Sequence, residues 1–497
     1  MLLKAKDMDI ATGGALIAIL NEKDADKLDL HALDRIKIKK KGKIETVLID
    51  IAESKKAVPR GSIGVFEEVI DSLGLKDKEI VEVMPARKPL SIDYIKKKLD
   101  GLALNKKEIE QIVWDIVHNK LSDIELTYFV AACYSKELSM EETVLLTKAM
   151  ASHGDALKLK RYPIMDKHCV GGVCGNRTTM IIVPIIAAAG LTMPKTSSRS
   201  ITSPAGTADT AEVLAPVSFS IQKMKDIVEK TNGCFVWGGA LNLAPADDRI
   251  IKLEKPLTID AKSQLLASVL AKKMSVSATH LLVDIPAGKG SKISSMEKAR
   301  RLKRDFISIC KKLGIKVKVI ITDGKEPIGN GIGPALEARD VLWILRNDSR
   351  GPEDLRKKAL VMAGLMLEMA GKAKRGCGCR MALDILESGD AYKKIVEIIK
   401  AQGGREADPD SIKLAPVAYD YRAYKNGAVK ELSNRAISKT ARVAGAPEDK
   451  GAGIYLHKHV NDRVKKGEII FTIYAQNETK LSYAKDVIKA IDGIVIG

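Results

Sequence analysis

The stretch DKHCVGGVCGNRTT, residues 166 to 179, follows a short apolar segment and leads directly into an apolar run with the character of a buried helix. It carries Lys167, His168 and three glycines immediately before the start of that run. Glycine lets the backbone take a positive φ and approach a ligand closely, and a helix N-terminus offers unpaired N–H groups with partial positive charge. The stretch therefore predicts a glycine-rich turn before a helix, with an anion, most simply phosphate, bound at the turn.

The surrounding sequence, from about residue 160 to 400, alternates strand patterns with helix patterns. HLLVDIP (280–286) and IKVKVIITDG (315–324) are short aliphatic runs that end in turns, and a segment of helical period lies between them. This alternation predicts an α/β domain with a central, mostly parallel sheet, whose ligands collect at the carboxyl ends of the strands. The longest apolar run, residues 180–193, contains proline and glycine and falls short of the roughly 20 residues that a membrane span needs, so it predicts a buried helix.

The flanking regions differ from this pattern and predict a multidomain α/β protein. RIKIKKKGKIETVLIDI (35–51) has the alternation of a β-hairpin, whereas the region after it has helical period with serine N-caps in LSD (121–123) and LSM (138–140). The chain of 497 residues is too long for one ordinary core. The predicted parts are a small β-rich N-terminal domain (1–85), a helical domain (89–160, with a later segment near 240–275), an α/β domain (161–405) and a C-terminal α+β domain (410–497).

Composition narrows the classes of partner. The net charge is +19, from 82 basic and 63 acidic residues, but the lysines are spread along the whole chain. A solvated basic surface is therefore favoured over a nucleic-acid site, and 4% aromatic residues weaken the case for base stacking. Seven cysteines at irregular spacings favour a reducing cytoplasm over a disulfide framework, and Cys377 and Cys379 are too close for the usual zinc spacing. We expect no nucleic acid, no membrane and no metal.

Two further loops are candidates for anion binding. KTSSRSITSPAGTADTAEVL (195–214) is rich in hydroxyl groups, and Thr207 is a reasonable N-cap for the helix pattern that follows. Alone it is more simply a loop, but beside the first turn a second anion pocket is favoured. PAGKGSKI (286–293) presents Lys289 and Lys292 from a glycine-rich turn, for which an exposed loop is an equally good interpretation.

A third segment, residues 243–274, places Asp260 before a helix. Ser268 and Lys272 follow eight and twelve residues later, on roughly one helix face. On spacing alone, Asp260 is more simply the N-cap of that helix.

DKHCVGGV, SSRSITSPAGTADTAEVL and LAPADD with LLASVLAKKM together resemble the pyrimidine-nucleoside phosphorylase family, which includes thymidine phosphorylase. The order of domains from residue 89 onward is similar to that family, and the additional N-terminal unit is the hallmark of its archaeal AMP phosphorylase branch. The resemblance implies phosphorolysis of AMP, and of CMP and UMP, by inorganic phosphate to the free base and ribose 1,5-bisphosphate. It also implies a cytoplasmic homodimer or larger homo-oligomer that needs no metal or organic cofactor.

The resemblance also implies roles for individual residues. Asp260 matches the proton donor of the family, which must then be protonated near neutral pH. The positions that match the phosphate region are Lys167, His168 and Ser197, joined by Thr207. The positions that match AMP contacts are Gly172, Ser198, Arg199, Ser200, Ile201, Thr202, Ser203, Thr207, Ser268 and Lys292.

Three departures bear on the substrate. Ile251 and Glu254 stand where thymidine phosphorylases carry a tyrosine and an arginine for the pyrimidine, which favours the AMP branch. Cys169 stands where the family commonly has a serine, and a thiol is a weaker donor than a hydroxyl.

A nucleoside phosphorylase of thymidine type is the nearest alternative. An anthranilate phosphoribosyltransferase shares the architecture but has no counterpart of the chain after residue 410, and a nucleic-acid-binding protein is the alternative of another class.

Overall fold

The structure of the chain is a computed structural model that describes residues 1–14, 16–54, 56–200, 203–257, 261–405, 407–491 and 493–497. Of residues 255–257 it describes the backbone only. The predicted site residues Ile201, Thr202 and Asp260 lie outside the described residues. The chain forms two compact units, Met1–His153 with Ala244–Ser268, and Gly154–Leu243 with Val269–Gly497.

The first unit begins with a closed β-barrel. Its strands are β1 (Leu2–Asp7), β2 (Ile17–Asn21), β3 (Arg35–Lys40), β4 (Lys43–Ala52), β5 (Ser62–Val65) and β6 (Ile80–Pro85), with the short helices α1 (Glu22–Asp26) and α2 (Glu67–Leu73). The strand order is β1-β5-β2-β4-β3-β6. The predicted hairpin is confirmed, since β3 and β4 pair antiparallel up to Lys40 and Lys43. Lys41 and Gly42 make the turn with φ of 46° and 89°, which fits a two-residue hairpin loop.

Helices complete the first unit. They are α3 (Ser91–Leu99), α4 (Lys106–Val117), α5 (Asp123–Ser135) and α6 (Met140–Ser152), and a later helix over Pro245–Leu257 packs on α4, α5 and α6. The predicted caps are confirmed, because Ser122 and Ser139 each form a capping box with the glutamate three residues on. The second of these glutamates, Glu142, also pairs with buried Lys98, with 2.9 Å between Lys98 Nζ and Glu142 Oε1.

The region from 154 to 405 alternates strands with helices as predicted. Its strands are β7 (Met165–Cys169), β8 (Met193–Ser197), β9 (Gly233–Trp237), β10 (His280–Ala287), β11 (Lys316–Asp323) and β12 (Gly331–Ile332). Its helices are α7 (Thr178–Ala188), α8 (Thr207–Glu212), α9 (Ile221–Thr231), α10 (Pro245–Leu257, the later helix of the first unit), α11 (Lys262–Ser275), α12 (Met296–Leu313), α13 (Pro334–Leu345), α14 (Glu353–Met369), α15 (Gly378–Glu387) and α16 (Asp390–Ala401).

Parallel strands position the predicted loops. β11, β10 and β7 form one parallel sheet in that order, and β8 and β9 form a parallel pair. A parallel bridge between Ile164 and Thr192 joins the two at the starts of β7 and β8. The carboxyl ends of β7, β8 and β10 therefore lie along one edge, where the glycine- and serine-rich loops begin. Helix α7, predicted to be buried, is buried from Thr178 to Ala187.

The last part of the chain is β-rich and, within residues 407–491 and 493–497, carries two α-helices. Its elements are β13 (Val417–Arg422), β14 (Gly427–Leu432), α17 (Asn434–Ala444), β15 (Gly453–Leu456), β16 (Arg463–Val464), β17 (Ile469–Ala475), α18 (Glu478–Ala490) and β18 (Ile494–Ile496). They form sheets of order β12-β15-β17-β13 and β16-β14-β18. The mixed α/β multidomain class is confirmed. Within the described ranges, no helix combines the length and apolar character that crossing a membrane requires.

Candidate active site

The glycine-rich turn between β7 and α7 has the backbone conformation that the sequence predicts. Gly171, Gly172 and Gly175 have φ of 95°, 90° and 71°. A Cβ at Gly172 would lie 2.1 Å from the backbone nitrogen of Lys292, and one at Gly175 would lie 2.1 Å from the carbonyl oxygen of Ile328. The close approach at these two glycines is thus to neighbouring loops of the protein. Nothing described lies within 4 Å of a Cβ at Gly171, so only this glycine faces open space.

A buried polar network lies beneath the turn. Lys167 is 1% exposed, and its Nζ donates a hydrogen bond of 2.9 Å to the hydroxyl of Thr178 at the start of α7. Burial lowers the pKa of the Lys167 ammonium, and the charge of Lys358 acts in the same direction against the opposing charge of Asp284. Asp284 on β10 lies 3.3 Å from Lys358 Nζ and 3.4 Å from the side-chain amide of Asn176.

A second buried cluster adjoins the same strands. Asp166, next to Lys167 on β7, lies 3.4 Å from the Nζ of Lys195 and 2.7 Å from the Nζ of Lys273. Burial lowers the pKa of Lys195 to about 7, although Asp166 opposes the shift. Burial also lowers the pKa of His168 well below its ordinary value, and nearby lysines add to the effect, so its imidazole is neutral.

The two clusters hold more positive than negative charge. The buried lysines Lys167, Lys195 and Lys273 and the half-buried Lys358 outnumber the two buried aspartates, Asp166 and Asp284. A buried surplus of like charge costs free energy unless a counter-charge compensates it.

Ser197, at the end of β8, adds an unused donor. Its Oγ is buried and has no hydrogen-bond partner among the described residues. The lysine surplus and this hydroxyl are the arrangement that an anion would complete.

The serine-rich loop after β8 is held by carboxylates. Asp209 accepts hydrogen bonds from the backbone N–H groups of Ser200, at 2.7 Å, and of Gly206, at 2.8 Å. Arg199 pairs with Glu212 at 2.5 Å and stacks over the ring of Trp237 at 4.7 Å. Its charge is therefore already matched inside the protein, and the bonds to Glu212 raise its pKa.

The predicted N-cap at Thr207 is wrong. Gly206 is the N-cap of α8, and Thr207 is the first helical residue. The physical reason is that residues 198–200 pass close to position 206. A Cβ at position 206 would lie 2.5 Å from the carbonyl oxygen of Ser198, so the helix begins from a glycine. Thr207 still lies beside the loop. Ser198 and Ser203 are exposed in that loop.

The third predicted loop, after β10, contacts the first. Lys292 is exposed, and its backbone nitrogen packs against Gly172. Lys289 is also exposed, and its Nζ lies 2.9 Å from a carboxylate oxygen of Glu431. The structure therefore brings together Lys167, His168, Gly172 and Lys292.

Ser268 belongs to the other compact unit. Its hydroxyl donates a hydrogen bond of 2.8 Å to Oδ2 of Asp247, a buried carboxylate on α10. Ile251 and Glu254 follow on the same helix.

Most of the buried and half-buried charges around the turn were not predicted from the sequence. Lys195, Lys273, Asp284 and Lys358 were not among the predicted site residues, and neither was Arg177, whose guanidinium pairs with buried Glu337. One feature of the sequence does point to such buried charges. Lys195 in MPKTS and Asp284 in HLLVDIPA each lie within a short run of mostly uncharged residues typical of a buried strand. A charge at such a position must be paired or functional.

The chain matches three described domain families in sequence order. Residues 92–154 match the helical bundle domain of a glycosyl transferase family, and residues 161–392 match its a/b domain. Residues 428–494 match the pyrimidine nucleoside phosphorylase C-terminal domain. A solved structure of anthranilate phosphoribosyltransferase from Thermus thermophilus is similar with a TM-score of 0.54, covering 63% of this chain and 100% of that one. At 18% identity this similarity shows the fold alone.

Relatives at much higher identity span the whole chain. The AMP phosphorylase of Thermococcus kodakarensis is 49% identical over 97% of this chain and 95% of its own length. The AMP phosphorylase of Pyrococcus furiosus is 48% identical over 99% and 97%, and AMP phosphorylase 1 of Archaeoglobus fulgidus is 44% identical over 97% and 95%. These matches include the N-terminal barrel, which the three domain families do not cover. The chain therefore belongs to the AMP phosphorylase family.

Proposed function

We propose that the protein is a pentosyltransferase that catalyses the phosphorolysis of AMP by inorganic phosphate, releasing adenine and ribose 1,5-bisphosphate. The observation that carries this function is the surplus of lysine charge around β7 and β8, in a chain that shares 48–49% identity with AMP phosphorylases. CMP and UMP are further proposed substrates, because the phosphates and the ribose are common to all three nucleotides.

The chemistry gives this charge a use. Breaking the N-glycosidic bond builds positive charge on the ribose and negative charge on the departing base, while a phosphate oxygen forms the new bond to C1′. Two anions, the attacking phosphate and the 5′-phosphate of AMP, must be held at once. Positioning two reactants can supply roughly 7–11 kcal/mol of barrier reduction. Lysine charge and backbone N–H groups supply that positioning without a metal ion.

We assign the attacking phosphate to Lys167, His168 and Ser197. The neutral imidazole of His168 and the unused hydroxyl of Ser197 suit hydrogen bonding to phosphate oxygens. The proposed AMP contacts are Gly172, Ser198, Arg199, Ser200, Ile201, Thr202, Ser203, Thr207, Ser268 and Lys292. The ion pairs of Arg199 favour a role in holding the loop in shape over direct charge on the nucleotide.

Protonation of the leaving base is the remaining requirement, and we assign it to Asp260. A general acid typically contributes 10²–10⁴-fold to a rate. To act in this way the carboxyl group must hold its proton near neutral pH, through burial or nearby negative charge.

We further propose the four-part division at 1–85, 89–160 with 240–275, 161–405 and 410–497, and a homo-oligomer in the cytoplasm. The barrel supports the first boundary, since its last strand ends at Pro85. All seven cysteines are free, which suits a reducing compartment. We assign the barrel a role in assembly, and an unchanged particle size after deletion of residues 1–84 would refute it.

The experiment that tests the function is base release from AMP, adenosine, CMP, UMP and thymidine, each with and without inorganic phosphate. We expect release from the nucleoside monophosphates alone, and only with phosphate present. Phosphate-dependent release from thymidine would instead favour a nucleoside phosphorylase. Inactivity on all five, together with phosphoribosyl transfer to anthranilate, would favour the phosphoribosyltransferase.

A further inference from the structure

Asn434, the first residue of helix α17, lies where loops from three neighbouring strands meet. It is 2% exposed. Its Oδ1 accepts a hydrogen bond of 3.0 Å from the backbone N–H of Cys174, and its Nδ2 donates one of 3.2 Å to the carbonyl oxygen of Gly324. One side chain thereby fastens the glycine-rich turn after β7 to the loop after β11.

Two further contacts join the same place. The thiol of Cys174 donates to the backbone carbonyl of Asn434 at 3.4 Å, and burial raises the pKa of that thiol to about 12, so it keeps its proton. In the loop after β10, a Cβ at Gly290 would lie 3.9 Å from the Cβ of Asn434, which places this loop in ordinary contact range. Asn434 is therefore hydrogen-bonded to the loops of β7 and β11 and lies close to the loop of β10.

The contact falls at a sensitive point of the anion-binding turn. Cys174 lies two residues after Gly172 and two before Asn176, whose side-chain amide is 3.4 Å from the carboxylate of Asp284. On its other side, the carbonyl of Cys174 accepts a hydrogen bond of 3.0 Å from the backbone N–H of Ile328. The turn is thus held between the loop that precedes β12 and the start of α17, and a shift of Cys174 would move Gly172 and Asn176 together.

We propose that Asn434 is a positioning residue for phosphate binding, and the proposal rests on the proposed phosphorolysis. Its two amide hydrogen bonds set the glycine-rich turn and the β11 loop at a fixed separation. The turn is then held in place before phosphate binds, which lowers the cost of ordering it on binding. The residue does not itself touch the anion.

The test compares Asn434→Ala, Asn434→Asp and Ser433→Ala. The alanine variant loses both amide bonds. The aspartate variant keeps the acceptor for Cys174 but sets a buried carboxylate oxygen against the carbonyl oxygen of Gly324, while an acidic residue still suits the N-terminus of α17. Ser433→Ala is the matched control, because Ser433 caps α17 through the N–H of Ala436 and makes no hydrogen bond to the turn among the described contacts.

The measurements are the KM for phosphate, kcat, the melting temperature, and the binding of inorganic phosphate alone by calorimetry. We expect Asn434→Ala to raise both the phosphate KM and its dissociation constant about tenfold, since small misplacements at such sites are costly. Asn434→Asp should raise them at least as much, because its buried carboxylate opposes the carbonyl of Gly324 and repels the anion, and Ser433→Ala should lower the melting temperature while leaving both constants unchanged.

Two results would overturn the proposal. One is an unchanged phosphate KM and dissociation constant in both Asn434 variants, and the other is an equal rise in Ser433→Ala, which would mean that loss of helix stability alone weakens binding. Failure of the proposed function can be told apart from failure of this proposal. In that case the unaltered protein itself would neither bind phosphate nor cleave AMP.

Discussion

Replacing Lys167 by methionine should change the stability of the protein and its affinity for phosphate in opposite directions. The Lys167 ammonium is 1% exposed, and its hydrogen bond goes to the hydroxyl of Thr178 and not to a carboxylate. The nearby carboxylate of Asp284 is already 3.3 Å from Lys358. In phosphate-free protein Lys167 is thus a buried charge with an unfavourable environment, as the lowered pKa indicates.

We therefore expect Lys167→Met to keep or raise stability without phosphate. Methionine is unbranched and only one atom shorter than lysine, and it removes the desolvation cost, so we expect a gain of about 1–2 kcal/mol in the free energy of unfolding. Phosphate at 100 times its dissociation constant should stabilise the unaltered protein by about 2.7 kcal/mol. The variant should lose most of that increment, together with most of its turnover.

The assay is thermal unfolding of both proteins with increasing inorganic phosphate. Lys98→Met is the matched control, since Lys98 is also buried but pairs directly with Glu142 at 2.9 Å. Its loss leaves a buried carboxylate without its cation and should cost about 3–5 kcal/mol, while the phosphate response stays intact. A large fall in the phosphate-free melting temperature of Lys167→Met, with the phosphate response retained, would refute the reasoning.

Three further predictions concern single residues. Asp260→Asn should fold normally and lose about 10²-fold or more in kcat, and near-normal turnover would remove its role as the acid. Lys292→Ala should raise the KM for AMP about tenfold but leave any residual cleavage of adenosine unchanged, and equal effects on the two substrates would argue against a contact with the 5′-phosphate. Burial raises the pKa of Asp340 from 3.8 to about 7, so the folded state binds a proton that the unfolded state has lost, and stability falls as pH rises through this range. Asp340→Asn should therefore be more stable than the unaltered protein by about 2 kcal/mol at pH 8 but not at pH 4, which urea unfolding at the two values would check.

Features that depend on local chemistry could be predicted from the sequence. The β3–β4 hairpin, the caps at Ser122 and Ser139 and the positive φ of the turn glycines follow from residues within a few positions of one another. Their energetics are set by steric freedom and by short-range hydrogen bonds.

Features that depend on distant parts of the chain could not be predicted. Lys167 and Lys195 are buried, whereas most lysines are solvated. Whether a lysine is buried depends on how its strand pairs within the sheet, which the local sequence does not show. Asn434 reaches Cys174 across 260 residues. The predicted N-cap at Thr207 was wrong for the same reason. The carbonyl oxygen of Ser198 lies so close to position 206 that only glycine fits there, and this glycine is the N-cap of α8.

The closure of the N-terminal barrel limits how it can contact another protein. Each of its six strands pairs with a strand on both sides, so the described part of the barrel presents no edge to which a partner could add a strand. Association through this domain would therefore use its helices, its loops and the outward-facing side chains of its strands. Such contacts are sensitive to charge substitutions and to ionic strength, and they can change between relatives without any change in the strands beneath them.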